Sequence, residues 1–452
     1  MKMPKLKLSG LVAAVLVSVS AGAQTINLNQ AIEMSLTADP RIKEQEQVVE
    51  QARALLEEAQ ANNGLRLELN TFIGLAPAVK GGFFENGATS GTRLRSDGPF
   101  PGGLSDWTFL QFNLVKPLYS FGKIERYSEA AQGNIDVKRT DVRVARATTI
   151  MDVKRAYFGY LAARDTRRLL EDLQGKVSEA LKVTEKRLNE ESGEVKKSDV
   201  YALQAGKGVI NKYHAQALAL ERVSLNGLKV LTGVGLDGKL EVAEDSISAL
   251  PKPSLSLAEY QSRAMAERPE LSQLDAGLRA RRALVAAKKA EMYPNIYAGL
   301  VGSFAYASRR ERLDNPYLYD PFNHAGVTPV VGLKWDVAFD VVPARVAHAQ
   351  AELDALLYKN QYALAGIPFE VAESYAQVEA HYLAVQEMAE AAQAARRWMV
   401  ATYADFNAGL ERADKLAEAF RSYALTQAEY LRTVNDYNMH VAQLTKVTGD
   451  YK

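Results

Sequence analysis

Side chains that could support catalysis are sparse in this 452-residue chain. The sequence has no P-loop, HExxH or GxSxG motif, the usual signatures of phosphate, zinc and serine-hydrolase sites. It has no cysteine, which excludes disulfides, thiol catalysis and thiolate-bound metals. Its five histidines lie far apart in the sequence, without metal-ligand spacing, and His348 and His381 are expected on solvated helix surfaces. We predict no enzymatic activity, no cofactor and no metal site.

One pair of carboxylates has a suggestive spacing, in the stretch GLERADKLAEA at 409–419. Asp414 and Glu418 are four residues apart, so on a helix they share a face, where like charges repel by about 0.2–0.5 kcal/mol. If the pair faced the lumen of a channel, copies from several subunits would form a ring of carboxylates, which attracts cations. The alternative is a solvated helix surface on which Glu411 pairs with Lys415, since charge stripes are common on long helices.

Four stretches alternate apolar and polar residues, which predicts strands with two different faces. They lie at about 65–75, 107–119, 294–306 and 328–340, and each is about ten residues long, enough for a tilted strand to cross a bilayer. The predicted apolar face carries Leu65, Leu67, Leu69, Leu110, Phe112, Leu114, Leu333, Trp335 and Val337. The predicted polar face carries Arg66, Glu68, Asn70, Gln111, Asn113, Lys334 and Asp336.

The surroundings of these strands favour a membrane barrel over two hairpins packed on a soluble core. Long polar loops at 76–106 and 309–326 suit an outer surface. A set of aromatic residues lies near the strand ends, where interfacial aromatics belong: Trp107, Tyr119, Tyr293 and Trp335. Four strands cannot close a barrel, because the smallest have about 8 and an open edge is not tolerated in lipid. The barrel must therefore be shared between subunits.

Very long helices account for much of the remaining chain. No proline occurs between Gly122 and Asn189, which predicts a helix of about 65 residues, roughly 100 Å long at 1.5 Å per residue. Apolar residues recur in it every seven positions, from Ala130 to Phe158, as in a coiled coil. A counterpart runs from about 344 to 407, and Gly366 with Pro368 should bend it.

The chain also resembles itself over whole halves. INLNQAIEMSLTADPRI at 26–42 aligns with LSLAEYQSRAMAERPEL at 255–271, and the strands and long helices recur in the same order. We predict two copies of one unit, at 24–250 and 251–452. Each copy is predicted to contain a helix, two strands, a long helix, a tip and a returning helix, with tips at about 188–198 and 406–413.

The first 23 residues have the features of a secretory signal. Three lysines precede a short apolar run, and AGA at 21–23 suits a signal peptidase that cleaves after Ala23. The whole chain has 55 basic and 54 acidic residues, so the mature chain would have 52 and 54. This balanced charge argues against nucleic acid as a partner.

Taken in order, three stretches resemble the TolC family of outer-membrane efflux proteins. They are INLNQAIEMSLTADP at 26–40, FNLVKPLYSFGKIER at 112–126, and RLNEESGEVKKSDV at 187–200, in which Gly193 and Asp199 have the family's spacing. The resemblance implies a mixed α and β membrane protein of the bacterial outer membrane that extends into the periplasm. It implies a homotrimer, in which four transmembrane β-strands per protomer form a 12-stranded β-barrel and coiled-coil hairpins form a periplasmic α-barrel.

The same resemblance implies roles for residues and partners. The apolar strand face would meet outer-membrane lipid and the polar face a water-filled lumen, with unusual charge where Asp336 and Asp340 depart from the family pattern. Asp414 and Glu418 match the family's entrance carboxylates only in part, and Asp199 is the next candidate. As a passive duct the protein would receive substrate from an inner-membrane RND, ABC or MFS transporter through a periplasmic adaptor docked at the tips. A periplasmic coiled-coil or adhesin-like protein without channel activity, or a soluble lytic or scaffold protein, is the alternative.

Overall fold

The computed structural model describes residues 24–78, 103–190, 195–312, 315 and 317–450. The predicted signal at 1–23, most of the first hairpin loop and Gly193 lie outside these residues. The elements in chain order are β1 Gln24–Ile26, α1 Leu28–Ala38, α2 Pro40–Ala61, β2 Arg66–Pro77, β3 Leu104–Tyr119, α3 Lys123–Asn189, α4 Lys197–Leu231, β4 Leu240–Val242, α5 Leu257–Glu267, α6 Pro269–Ala290, β5 Asn295–Ala307, β6 His324–Lys334, α7 Val341–Asn407 and α8 Ala413–Val447.

The chain divides into two compact units, which we name by their content. The helical unit consists of Met1–Ile42, Ala145–Glu267 and Ile367–Lys452, and the sheet unit of Lys43–Val144 and Arg268–Gly366. None of the helices among the described residues has an apolar window long enough to cross a membrane.

The core of the helical unit lies among α3, α4, α7 and α8. Apolar side chains from all four helices are buried there and include Leu173, Leu203, Phe406, Leu416 and Phe420. The unit also contains a short parallel pair, β1 with β4, which the sequence patterns did not predict. Three-residue strands are too short for an alternation signal, so only the pairing partner identifies them.

The sheet unit is built on one antiparallel sheet in the order β2-β3-β5-β6. Its helices pack through α6 against α7 and through α2 against α3, with Leu278 and Leu353 in one contact and Val49 and Ile135 in the other. Small residues allow α3 and α6 to approach closely, since a Cβ added at Gly133 would lie 2.7 Å from the Cβ of Ala280.

Two predicted boundaries need correction. Each predicted opening helix is two helices, because Pro40 and Pro269 begin new ones and the residue before a proline is driven out of the helical region. The fourth strand ends at Lys334 and not at 340. Lys334 pairs with Asn295, the first residue of β5, and Pro294 before it has no N–H to extend the ladder.

The two long helices match their predicted extent. Both α3 and α7 contain 67 residues, and α7 continues through Pro368 without interruption. The bend expected at Gly366 and Pro368 stays a prediction.

Candidate functional site

The apolar side chains of the sheet share one face. Cross-strand partners have side chains on the same side of a sheet, and the register pairs Leu67 with Leu114 and Leu69 with Phe112. Leu110 pairs with Phe304 across the next strand boundary. The side chains on β2 and β5 are exposed, Leu67 at 55%, whereas those on the central strand β3 are half-buried. A contiguous exposed apolar face of this size marks a surface that contacts lipid or another protein.

The predicted polar side chains occupy the opposite face. Glu68 pairs with Asn113 and Asn70 with Gln111 on the first hairpin. Gln111 also pairs with Ser303, which continues the polar set onto β5. Arg66 and Lys334 lie on the same face at the end of the sheet that leads into the long helices. The sheet therefore has one face dominated by large apolar side chains, with Lys116 among its few polar residues, and one hydrogen-bonding face.

Four of the predicted face residues lie outside the strands. Leu65 directly precedes β2, while Trp335, Asp336 and Val337 follow β6. Because these residues have no ladder partner, the alternation rule assigns them no face. Trp335 instead donates its indole N–H to the carbonyl of Met292 at 3.1 Å.

An aromatic band, which sequence reasoning missed, crosses the polar face near the hairpin loops. Phe72 stacks on its partner Phe109 with ring centroids 4.8 Å apart and meets Trp107 edge-on at 4.8 Å. Phe322 contacts Trp107 at 5.2 Å and carries the guanidinium of Arg310 at 4.2 Å. Trp107 was expected as an interfacial aromatic, but its register places it on the polar face. Counting strand parity from Gln111 would have found it.

Two of the other three aromatics expected near strand ends, Tyr119 and Tyr293, are joined through Phe121 at the end of the sheet that leads into the helices. Tyr119, the last residue of β3, contacts Phe121 at 4.7 Å, and Phe121 stacks on Tyr293 at 5.4 Å. Trp335 directly follows β6, and its indole N–H bonds to the carbonyl of Met292, the residue before Tyr293. All four rings are substantially exposed. Such amphipathic rings suit a boundary between an apolar phase and water.

A charged cluster holds the helix ends together below the sheet. Glu291, just after α6, accepts hydrogen bonds from Tyr127 on α3 and Lys288 on α6, and pairs with Arg345 on α7. Burial raises the pKa of Glu291, but the hydrogen bonds from Tyr127 and Lys288 outweigh burial and lower it. The carboxylate thus stays charged and joins three helices at the base of the strands.

At the other predicted site, Arg412 links the two tips within the helical unit. The buried carboxylate of Asp199 accepts the backbone N–H of Lys196 at 2.9 Å and so caps α4. A guanidinium nitrogen of Arg412 lies 3.7 Å from Asp199, and its Nε donates to Asp414 at 3.1 Å. Asp199 is therefore a capping and tip-joining residue, and no open carboxylate is presented there.

The pairing at the start of α8 differs from the one expected. Lys415 donates to Glu418 at 3.2 Å, and Glu411 accepts the backbone N–H of Arg412. Asp414 and Glu418 are thus each paired with a cation, which removes much of the repulsion their spacing implies. Both line a cavity of about 350 Å³ with Leu203, Phe420 and other apolar side chains of α3, α4 and α8.

A second contact between the tips comes from Arg187 near the end of α3. Its guanidinium donates to the carbonyls of Phe406 and Asn407, at 3.0 and 3.1 Å, and lies 5.1 Å from the centre of the Phe406 ring. These carbonyls end α7 and have no partner inside the helix, so a cation there is favourable.

Two histidines that lie far apart in the sequence meet in the structure. His381 on α7 and His440 on α8 stack with ring centroids 4.2 Å apart, so His381 is a half-buried contact residue and not a solvated one. No group of three or more metal-binding side chains occurs among the described residues. The two positions are 59 residues apart, so their contact could not be predicted from local sequence spacing.

The family-model comparison identifies this architecture. The model of the outer membrane efflux protein family matches residues 31–200 and 261–450, which is most of the chain. The chain belongs to this family. As an outer membrane efflux protein it is a channel of the outer membrane and not an enzyme, in agreement with the sequence predictions.

Solved structures of outer membrane channels have the same fold. CusC matches with a TM-score of 0.75 and 16% identity, over 96% of this chain and 95% of that one. CmeC of Campylobacter jejuni matches with a TM-score of 0.74 and 14% identity, over 100% and 94%. VceC of Vibrio cholerae matches with a TM-score of 0.72 and 15% identity, over 93% and 96%. No curated protein matches this chain significantly.

Proposed function

We propose that this efflux protein is a homotrimeric exit duct, which passively carries substrates from an inner-membrane transporter across the outer membrane. The observation that carries the proposal is the four-stranded sheet with one apolar and one polar face, whose edge strands β2 and β6 have no further strand partner among the described residues. In lipid such edges must be paired, because each unpaired backbone group costs several kcal/mol.

The strand directions allow closure by identical copies. Each neighbouring pair in the sheet is antiparallel, so β2 and β6 run in opposite directions. Pairing β6 of one copy with β2 of the next therefore continues the antiparallel alternation. Three copies give about 12 strands, within the range of outer-membrane barrels. In this barrel the apolar face meets outer-membrane lipid, and Arg66, Glu68, Asn70, Gln111, Asn113 and Lys334 line the lumen.

Partners follow from the passive nature of a duct. Energy comes from an inner-membrane RND, ABC or MFS transporter through a periplasmic adaptor, in a tripartite efflux pump or a type I secretion system. The tip segments near 188–198 and 406–413 are our candidates for adaptor docking. The ion pairs of Arg412 with Asp199 and Asp414 support a tip held in a defined arrangement.

Asp414 and Glu418 remain the candidates for a carboxylate ring at the entrance. Each is half-exposed at the start of α8, with side-chain exposures of 45% and 46%. Removing both carboxylates by Asp414→Ala with Glu418→Ala is expected to raise single-channel conductance and lower cation selectivity in planar bilayers. Glu429→Ala, on an exposed position further along α8, is the matched control. Unchanged conductance and selectivity in an intact trimer would exclude this ring.

The oligomeric state tests the duct itself. Native mass in detergent is expected to be three times that of the mature chain, with heat-modifiable migration in the outer-membrane fraction. A clean monomer without conductance would overturn the duct and favour a periplasmic coiled-coil or adhesin-like protein.

A further inference from the structure

Two imidazole rings form a direct contact between α7 and α8 in the helical unit. The rings of His381 and His440 are 4.2 Å apart between centroids and inclined by only 25°, so they stack face to face. Both side chains are half-buried. Neither the channel nor the tip contacts described above make use of this pair.

A second ring pair lies next to the first, formed by the residue after His381 and the residue three before His440. Tyr382 on α7 and Tyr437 on α8 have centroids 5.8 Å apart. Tyr437 is fully buried, and its hydroxyl has no hydrogen-bond partner within the part of the chain described. A buried polar group without a partner shows that this contact offers little compensation for added charge.

Asp436 is the carboxylate that acts on His440, and Glu379 lies two residues before His381 in the sequence; each of them pairs with a cation. On α8, Asp436 lies 3.6 Å from Arg432. On α7, Glu379 lies 3.5 Å from Lys252, which belongs to the segment before α5 and also covers the Tyr382 ring at 5.1 Å. A protonated His440 would therefore share the Asp436 carboxylate with Arg432, which is already in place.

Protonation changes the sign of the contact. Neutral rings attract each other in this geometry, whereas two imidazolium ions about 4 Å apart repel. Burial lowers the pKa of His440 below 6.5, the neighbouring His381 lowers it further, and Asp436 opposes both. The stabilisation from the ring contact is fully present above pH 6.5. It is lost as the pH falls through the lowered pKa of His440 in the folded protein, because the unfolded imidazole binds protons more readily.

We propose that His381 and His440 form a proton-sensitive contact that holds α7 on α8 at neutral pH and releases it in mild acid. The turn at residues 408–412, which includes Arg412, connects the end of α7 to the start of α8. The contact lies within the helical unit, so the proposal stands whether or not the trimeric duct proposal holds.

The cysteine-free sequence permits a direct measurement. Spin labels on Glu390→Cys in α7 and Glu429→Cys in α8, both exposed, report the separation of the helices in the full-length protein in detergent. We expect the distance distribution to shift to longer values and broaden between pH 7.5 and pH 5, with a midpoint below 6.5. An unchanged distribution over this range would overturn the proposal.

Matched variants separate this pair from other titrating groups. His381→Phe with His440→Phe keeps two stacking rings without a titrating nitrogen and should abolish the pH response. His348→Phe removes an exposed α7 histidine, 76% exposed, and should leave the response intact. A response that persists in the Phe pair assigns it to other groups and overturns the proposal.

A histidine titration covers the case in which the Phe pair fails to fold. The imidazole resonances of His440 in the unsubstituted protein should titrate with a midpoint below 6.5, and in His381→Gln the midpoint should move upwards. A His440 midpoint at or above 6.5 would overturn the proposal.

Discussion

The two junctions between a strand and a long helix, from β3 to α3 and from β6 to α7, differ in backbone conformation. The first turns sharply: β3 ends at Tyr119, α3 begins at Lys123, and Phe121 and Gly122 have φ values of 54° and 82°. The second is a six-residue connection, residues 335–340, between Lys334 and Val341, and its last two residues form a turn that leads into α7. No residue of that segment has a positive φ.

The difference shows that a strand ends where its partner ends, whatever its own alternation. Trp335, Val337 and Phe339 continue the apolar spacing of β6, but β5 has no residue left to pair with them. In the first junction Tyr119 still pairs with Ile296 across a register shift at Pro117, so the strand lasts until the turn. The alternation of residues determines which side chains share a face of a strand, whereas the neighbouring strand determines where that strand ends.

A second contrast separates the corners that open each predicted copy. In the first, Asp39 precedes Pro40 and is followed by Arg41, which contacts both Asp39 and Asp152 at 2.8 and 2.9 Å. In the second the charges are reversed, with Arg268 before the proline and Glu270 after it, 3.3 Å apart. The same turn thus uses either sign of ion pair.

The largest expected effect tests where β6 ends. Leu67→Arg and Leu333→Arg place a charge on the apolar face inside strands and should cost about 2–4 kcal/mol near the bilayer midplane, less towards its edges. Val337→Arg, beyond the strand, and Glu68→Arg, on the polar face, should be mild. Folding into lipid vesicles, followed by urea titration, measures the difference. Equal damage from Leu67→Arg and Glu68→Arg would mean that the faces are assigned wrongly.

The next largest effect on stability tests the difference between the ion pairs at the Pro40 and Pro269 corners. The Asp39 carboxylate is buried and accepts from Arg41 and Thr149, so Asp39→Ala should cost about 1.5–3 kcal/mol. Glu270→Ala, whose side chain is 39% exposed, should cost about 0–1 kcal/mol. Thermal unfolding in detergent compares them. Similar losses from both would show that the two corners are equivalent.

The Asp39 corner also has a pH signature. Burial raises the pKa of Asp39, but hydrogen bonds from Arg41 and Thr149 outweigh it and lower the pKa from 3.8 to about 2. Its stabilisation is therefore complete above pH 3.8 and is lost as the pH falls through about 2. The difference in unfolding temperature between the wild type and Asp39→Ala should shrink across this window. A constant difference would contradict the assignment.

A smaller effect tests the first junction. Gly122→Ala should cost about 1–2 kcal/mol, because Gly122 has φ 82° and left-handed backbone is unfavourable for residues with a Cβ. A Cβ there would meet no atom within 4 Å, so the loss reports backbone strain alone. Gly175→Ala, equally free of contacts but inside α3, should stabilise by about 0.5–1 kcal/mol. The same sign for both variants in thermal unfolding would refute the turn as the cause.

The smallest effect concerns the second junction. Trp335→Phe keeps a ring but removes the hydrogen bond to the carbonyl of Met292, and should cost about 0.5–1 kcal/mol at this exposed position. Trp398→Phe, on the exposed surface of α7, is the control and should be neutral. A larger loss of stability for Trp398→Phe would contradict a stabilising role for the Trp335 hydrogen bond.

Much of the site could be predicted because its signals are local. Alternation predicted which residues within β2 and β3 share a face, and the absence of proline from 122 to 189 predicted a helix that is 67 residues long. The aromatic band, the Arg412 pairings and the histidine stack were missed. Each of these joins residues from separate elements, and no local spacing records which elements will pack together.

By itself the sequence determined the periodicities: which residues share a strand face, where prolines divide helices, and which stretches remain helical without a break. These follow from backbone geometry and side-chain polarity, which act over a few residues. The tertiary structure alone decided that β6 stops at Lys334, that Trp107 joins Phe72 and Phe322, and that Arg412 pairs with Asp199. Those outcomes depend on which groups from distant positions arrive within 3 to 5 Å, and packing of the whole chain sets that distance.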